Sequence, residues 1–454
     1  MRIIHTSDWH LGQHFYGKSR AKEHQQFLNW LIEQSQSQNI DAIIVAGDIF
    51  DTGTPPSYAR EMYFDFIAKL HQTRCQLVVL AGNHDSVAML SESQKLLQQL
   101  STRVISAVSD DINEQVFVLN SLKTDQKAVI CAIPFIRPRD ILKSYTGQSA
   151  NDKQRSLQQA ISMHYQHLFE QAQVLSNKHK VDDARLPIIA TGHLTTIGAS
   201  SSESVRDIYI GTLEAFPASE FPDADYIALG HIHRPQKVTK SEHIRYSGSP
   251  IALSFDEAKT QKSIVIVELT HANSSKKEPS KAELNKAELT RSELTKVETC
   301  NVPCFQPLAM VKTKLETLSE DITALVKSHN DEEKSLVKNK LWLDIEIESA
   351  AYLQDLTARI EQLTQQLPVE VLLVLRSKKS RQEMPSNQAK ITLSELSVQE
   401  VFDARMALEE WQGDEQEQRK GRLNTLYRDI AEQVQLSASN EGSNVETVVK
   451  AEQK

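Results

Sequence analysis

The chain has 454 residues, 40% of them hydrophobic and 24% charged, with a formal net charge of −9. At this length one ordinary core does not suffice, so two or three packed units with linkers are expected. The composition is that of a soluble globular protein, and its longest apolar runs, such as residues 264–267, are strand-sized, which excludes a membrane span.

From the N-terminus, residues 1–6 enter a strand pattern directly. They contain no apolar h-region or small-residue cleavage site, so no secretory signal is expected and a cytoplasmic location follows. The next stretch alternates: residues 2–8 apolar, 20–36 helical, 41–48 apolar, 57–72 helical, 76–82 apolar, a βαβαβ unit. In the second helix Tyr63, Phe66, Ile67 and Leu70 form one apolar stripe to cover a sheet, with Ser57 as its N-cap. Strands predicted over 186–191, 226–230, 244–248 and 263–269 are expected to extend the same sheets, completing a unit of residues 1–270. Residues 271–300 differ in character. Three pentapeptides beginning at Lys281, Lys286 and Arg291 repeat with a period that fits neither helix nor strand, which predicts a solvated, low-complexity insertion. Over 301–380 the order is strand 309–314, helix 319–328, strand 340–347, helix 351–366 and strand 369–376, a small α/β layer. A polar linker, 377–389, precedes helices predicted over 393–411 and 416–434, within a helical segment 390–436. The Ser/Asn/Glu-rich end, 437–454, is expected to be disordered. The four cysteines, Cys75, Cys131, Cys300 and Cys304, fit neither a disulfide framework nor a zinc site.

Five short motifs close the predicted strands of the first unit: Asp8-Trp9-His10, Gly47-Asp48-Ile49-Phe50-Asp51, Gly82-Asn83-His84-Asp85, Gly192-His193 and Gly230-His231-Ile232-His233. The carboxyl ends of strands in an open α/β sheet converge on one crevice, where side chains distant in sequence meet. Asp, His and Asn without Cys are donors for divalent manganese, iron or zinc rather than for a thiolate-held structural zinc. The set is rich enough for two ions, and two ions bridged by a carboxylate about 3.5–4 Å apart form a phosphoryl-transfer site. Glycine beside each donor is expected to let the backbone turn off its strand and aim Asp48, Asn83, His193 and His231 inward. His84, next to a donor, is left to protonate the leaving oxygen. A single Asp-x-His or Gly-His means little among fifteen histidines; the ordered series of five, each closing an apolar run, carries the signal. Asp51 and Asp85 are weaker, each able to orient a histidine from behind or to cap a helix.

The order D-x-H, G-D-x-x-D, G-N-H-D, G-H, G-H-x-H resembles the calcineurin-like metallophosphoesterase superfamily across residues 1–270. That resemblance implies an α/β metallophosphoesterase sandwich with a small α/β capping domain and C-terminal helices. It implies Asp8, His10, Asp48 and His233 as ligands of one ion and Asp48, Asn83, His193 and His231 as ligands of the other. Asp48 would be the bridge, His84 the catalytic histidine and Asp51 the carboxylate that orients it. Ser7-Asp8-Trp9-His10-Leu11-Gly12, the Gly47–Asp51 motif, Phe305-Gln306-Pro307-Leu308 and the run from Leu393 to Phe402 are further similar to the bacterial SbcD family, over about residues 1–436. The resemblance implies a Mn2+-dependent exonuclease on duplex DNA ends, with endonuclease activity on single strands and hairpins, serving DNA repair, replication and recombination. It also implies a homodimer within a heterotetramer with an SbcC-type coiled-coil ATPase, onto which the C-terminal helices dock. The pentapeptide repeats depart from that pattern and carry no assigned role.

Charge does not choose the substrate, because residues 1–270 hold 26 Lys and Arg against 29 Asp and Glu and several of those acids are claimed for metal. A phosphatase or cyclic phosphodiesterase acting on a small substrate would use the same metal core. A non-enzymatic adaptor would have no need of a complete donor set. The segment Gly12–Ser19 matches the P-loop expression, but its strand ends in the Asp8/His10 pair and no second acidic strand supports a nucleotide site, so ATP is assigned to the partner.

Overall fold

The computed structural model describes residues 1–142, 150–181, 184–202, 204–205, 215–238, 242–269, 295–332, 339–348 and 356–376, with helical positions at Phe402, Arg405, Met406, Arg419 and Leu423. The strands are β1 Arg2–Thr6, β2 His14–Phe15, β3 Lys18–Ser19, β4 Ala42–Ala46, β5 Gln76–Leu80, β6 Thr102–Ile105, β7 Val116–Asn120, β8 Lys127–Cys131, β9 Ile188–His193, β10 Tyr226–Gly230, β11 Gln236–Lys237, β12 Ile244–Tyr246, β13 Ser263–Leu269, β14 Thr295–Asn301, β15 Leu308–Thr313, β16 Leu341–Ile347 and β17 Val369–Arg376.

Two six-stranded sheets carry the larger unit, in the orders β14-β13-β1-β4-β5-β6 and β11-β12-β10-β9-β8-β7. Strands β1, β4, β5 and β6 run parallel, as do β8, β9, β10 and β12, with antiparallel strands at the margins. Both faces of each sheet are covered, which is why β4 reads Ala-Ile-Ile-Val-Ala without a polar break. Alternate side chains sort the layers. Ile4, Ile43, Val45 and Val79 pack with Phe27, Leu31, Tyr63, Phe66 and Leu70 of the helices Ala21–Ser37 and Ser57–Gln72. Ile3, Ile44, Val78 and Val265 face Ile130, Ile189 and Ala228 of the second sheet. Val129, Ile188 and Ile227 face outward onto Leu157, Ile161, Tyr165, Leu168 and Ala172 of the helix Ala150–Lys178. The result is an α/β/β/α layering with the apolar core in three slabs.

Several expectations change. The later strands divide between the two sheets, β13 in the first and β9, β10 and β12 in the second, a division that a run buried on both faces does not encode. Ser57 is the first residue of its helix, not the cap; Pro56 holds the cap position with extended backbone and no side-chain bond. Strand β14 begins at Thr295, inside the stretch expected to be insertion, and pairs along the whole of β13. The Gly12–Ser19 segment is a hairpin of β2 and β3, and Lys18 Nζ lies 2.5 Å from Glu370 Oε1, so its ammonium serves an ion pair. The β15, β16 and β17 strands form a three-stranded sheet, with helices Leu318–Glu332 and Leu356–Thr364 in the same segment. The chain divides into two compact units, the larger holding Met1–Met310, Thr323–Leu343 and Leu367–Leu372, the smaller including Val311–Ile322 and Asp344–Gln366. The pentapeptide repeats, the final eighteen residues and, apart from the five helical positions named above, the helices expected over 393–411 and 416–434 lie outside the described residues.

Candidate metal centre

The loops leaving β1 and β4 run side by side. Asp8 N–H donates to the Gly47 carbonyl at 3.0 Å, His10 N–H to Asp48 at 3.1 Å and Leu11 N–H to Ile49 at 2.9 Å. This pairing carries the chain through left-handed backbone at Asp8 (φ 54°), His10 (φ 48°) and Asp48 (φ 52°), and His231 sits at φ 93°. Non-glycine residues in such conformations cost on the order of 1–3 kcal/mol each, and their gathering in one crevice is the mark of a functional constraint.

The glycines act differently from the expectation. Of Gly47, Gly82, Gly192 and Gly230, only Gly47 has positive φ. What the others supply is room: a Cβ on Gly82 would lie 2.1 Å from Asp48 Oδ1, and one on Gly230 would lie 1.9 Å from the Ala46 carbonyl oxygen. The donors themselves, not the glycines, take most of the strained turns.

Sequence-distant side chains meet as expected. Donor atoms of Asp8, His10 and His233 lie within 4.8 Å of one another, as do those of Asp48, His193 and His231, and those of His10, Asp48 and His84. Asp48 and His10 each belong to two of these groups, so the groups form one continuous cluster. Asp48 Oδ2 stands 3.2 Å from His193 Nε2 and 3.7 Å from His10 Nε2, while Oδ1 accepts the His84 N–H at 2.9 Å. Asn83 Oδ1 lies 2.9 Å from His193 Nε2 and 3.2 Å from His231 Nδ1. Asp8 is held by the His231 N–H at 2.9 Å and the Ser7 hydroxyl at 2.5 Å. His84 Nδ1 is 2.7 Å from the Asp51 backbone carbonyl, and its ring packs edge-on to His10 at 4.7 Å. The Asp51 carboxylate meets a different ring, 3.2 Å from His10 Nδ1. Asp51 therefore reaches His84 through its main chain and His10 through its side chain, a split that the sequence did not announce. Asp85 accepts N–H groups from Ile49, Phe50 and Gly82 at 2.8–3.1 Å and so ties the loops after β4 and β5 together. Burial and the nearby Asp48 carboxylate push its carboxyl up to about 6, against those three donors.

The donors fit divalent ions. His193 Nδ1 is 2.9 Å from the Ala46 carbonyl and carries the hydrogen there, so Nε2 presents a lone pair between two acceptor oxygens, Asp48 Oδ2 and Asn83 Oδ1. A cation placed among these atoms satisfies that arrangement. In the metal-free chain a proton does so: burial lowers the His193 pKa, yet the Asp48 carboxylate outweighs it and holds the ring up to about 9. Burial and the adjacent His193 push His231 the other way, well below the usual histidine range. His10 Nε2 and His231 Nε2 are buried with no hydrogen-bond partner, which suits them to act as metal ligands.

Residues absent from the sequence motifs lie behind His233. Glu257 is fully buried and contacts Ser202, Ser204, Ser249 and Lys262, itself buried. Asp256-Glu257 sits in a single 3-10 turn, a span too short for periodicity to mark it.

Residues 1–235 match the family model "Calcineurin-like phosphoesterase", and residues 304–410 match "Type 5 capsule protein repressor C-terminal domain". The chain is 48% identical over 431 residues to the SbcD component of the nuclease SbcCD of Escherichia coli (strain K12), covering 95% of this chain and 99% of that protein. The chain belongs to the SbcD family of calcineurin-like phosphoesterases. The SbcD component of the Bacillus subtilis (strain 168) nuclease is 32% identical over 274 residues, 59% of this chain and 66% of that one. Divalent metal binding comes with this family, and the crevice holds the donors for it. No helix among the described residues is long and apolar enough to cross a membrane.

Proposed function

We propose that this chain is the nuclease subunit of an SbcCD-type complex, a metal-dependent phosphodiesterase that cuts DNA. The observation that carries the reading is a 48% identity that extends over 99% of the Escherichia coli SbcD protein, beyond the metal core that a small-substrate phosphatase would share. The finer reading is a Mn2+-dependent exonuclease on duplex ends and endonuclease on single strands and hairpins, in DNA repair, replication and recombination in the cytoplasm. It acts as a homodimer in a heterotetramer with an SbcC-type ATPase. The division of labour along the chain is a nuclease domain over 1–270, an insertion over 271–300 whose end returns to the nuclease sheet as β14, a capping domain over 301–380 and partner-binding helices over 390–436.

Asp8, His10, Asp48 and His233 would hold one ion and Asp48, Asn83, His193 and His231 the other, an all-nitrogen-and-oxygen set that suits manganese. Bound there, two divalent ions supply Lewis acidity and positive charge for phosphodiester hydrolysis. The chain's own contribution is placement. His84 has its Nδ1–H fixed by the Asp51 carbonyl, which orients the ring and leaves Nε2 as the nitrogen that, in the imidazolium form, delivers a proton to the departing oxygen. Asp51 fixes His10 through the carboxylate.

The test is Mn2+-dependent degradation of end-labelled duplex DNA, with and without the partner ATPase, against a small phosphate diester. The wild-type chain is expected to degrade DNA in preference to the ester. His84→Ala should lower turnover about 10²–10⁴-fold while leaving ion binding intact. Turnover of the ester alone would move the reading to a small-substrate phosphodiesterase.

A further inference from the structure

Glu257 has no role in the ligand scheme, yet it is the most heavily hydrogen-bonded acid near the crevice. Its Oε1 accepts the Ser202 hydroxyl at 2.6 Å and the Ser204 hydroxyl at 2.5 Å, and lies 3.5 Å from His233 Nδ1. Its Oε2 accepts the Leu253 N–H at 3.0 Å and Lys262 Nζ at 2.5 Å. Lys262 uses its remaining hydrogens on the His233 carbonyl at 3.0 Å and Ser249 Oγ at 2.8 Å. His233 is thus gripped at both ends, by Lys262 at its carbonyl and by Ser204 at its ring, where Ser204 Oγ stands 2.6 Å from Nδ1.

The direction of these bonds follows from what each group can do. A carboxylate only accepts, so the single Ser204 hydrogen goes to Glu257. Ser202 Oγ, 3.1 Å from Ser204 Oγ, offers a longer path and already donates to the same carboxylate. With its hydrogen committed, the Ser204 oxygen can only accept from His233, so Nδ1 must carry the ring proton. Nε2 is then the lone-pair nitrogen. Without the carboxylate, Ser204 could donate to Nδ1 and leave the proton on Nε2, a tautomer with no lone pair on Nε2 to offer an ion.

We propose that Glu257 is a positioning residue which, through the Ser204 hydroxyl, fixes His233 as the Nδ1–H tautomer and so presents Nε2 toward the ion position shared with Asp8 and His10. This rests on the reading of those three residues as ligands of one ion. Lys262 keeps Glu257 ionised inside the protein, and the pair acts as a unit.

The experiment has a readout that does not depend on activity. In metal-free protein labelled with 15N-histidine, NMR reports which ring nitrogen of His233 is protonated, the signal being assigned by its absence in His233→Asn. Wild type is expected to show Nδ1–H, and Ser204→Ala to shift toward Nε2–H. Manganese titration followed by calorimetry should show one of two sites weakened 10–100-fold in Ser204→Ala, the other unchanged. Because Glu257→Gln alone strands a buried ammonium, the paired variant Glu257→Leu/Lys262→Met removes both charges together. It is expected to remain folded by circular dichroism and to show the same loss at the same site. A wild-type Nε2–H tautomer, or folded Ser204→Ala and paired variants with both sites unchanged, would overturn the proposal. Wild type binding no manganese would overturn the metal reading along with it, whereas two-site binding with an unmoved tautomer overturns this proposal alone.

Discussion

The two sides of the crevice hold their histidines by different means. On one side, His193 anchors Nδ1 on the backbone carbonyl of Ala46 at 2.9 Å, an atom of β4 that no substitution removes. On the other, His10 is anchored by the Asp51 carboxylate at 3.2 Å and His233 by Ser204 at 2.6 Å, all side chains. A ligand oriented by the sheet is as rigid as the sheet, while ligands oriented by side chains can be weakened one at a time. The contrast predicts an ion position set by the fold, with Asp48, Asn83, His193 and His231, beside one that is adjustable, with Asp8, His10 and His233.

The largest effect should come where the two positions meet. Asp48 Oδ2 lies between His193 and His10, so Asp48→Ala should abolish DNA cleavage and lower manganese stoichiometry from two by calorimetry. Retention of one tight site would show that the two positions are independent, which breaks the comparison at its hinge. Next in size is Gly82→Ala. Its Cβ would lie 2.1 Å from Asp48 Oδ1 and 2.3 Å from Asp48 N, backbone that cannot swing aside. A loss of about 3 kcal/mol or more in urea denaturation, with metal binding impaired, is expected. Asp51→Asn tests the adjustable side directly. It keeps the backbone carbonyl that holds His84 but weakens the anchor of His10, so one ion site should lose affinity 10–100-fold while the other is unmoved. Equal loss at both sites would erase the distinction.

The smallest effect lies away from the crevice, on the same strand. His5 is buried between the sheets, with Nδ1 2.9 Å from the Tyr226 hydroxyl, and burial pushes its pKa down from 6.5 to about 3. The unfolded chain takes up a proton below 6.5 that the folded chain refuses, so stability falls as pH drops from there toward 3. Between pH 7 and pH 5 this amounts to about 2 kcal/mol. His5→Gln should flatten that part of the urea-midpoint profile, and an unchanged slope would assign the acid sensitivity elsewhere.

How much of this was legible in the sequence depended on the range of the interaction. The helix Ser57–Gln72 and the strand Val369–Arg376 have the predicted bounds because each is written in local periodicity. The helix Ala150–Lys178 went unassigned although Leu157, Ile161, Tyr165, Leu168 and Ala172 form a helical stripe; its frequent Gln and Ser residues dilute the contrast between faces. The candidate donors were legible because each closes an apolar run, whereas Glu257, in a single 3-10 turn, and Ser204 meet His233 with no such punctuation.

By itself the sequence determined the alternation of strands and helices and the order of the candidate donors, since these follow from side-chain period and from the residue types that metal chemistry requires. Tertiary structure decided the rest: that β9 and β10 form a sheet of their own facing the first, that Asp51 divides its main chain and side chain between His84 and His10, and that a buried Glu257–Lys262 pair stands behind His233. Those outcomes depend on which buried surfaces meet across hundreds of residues, and a strand or loop whose every face is covered carries no local mark of its neighbour.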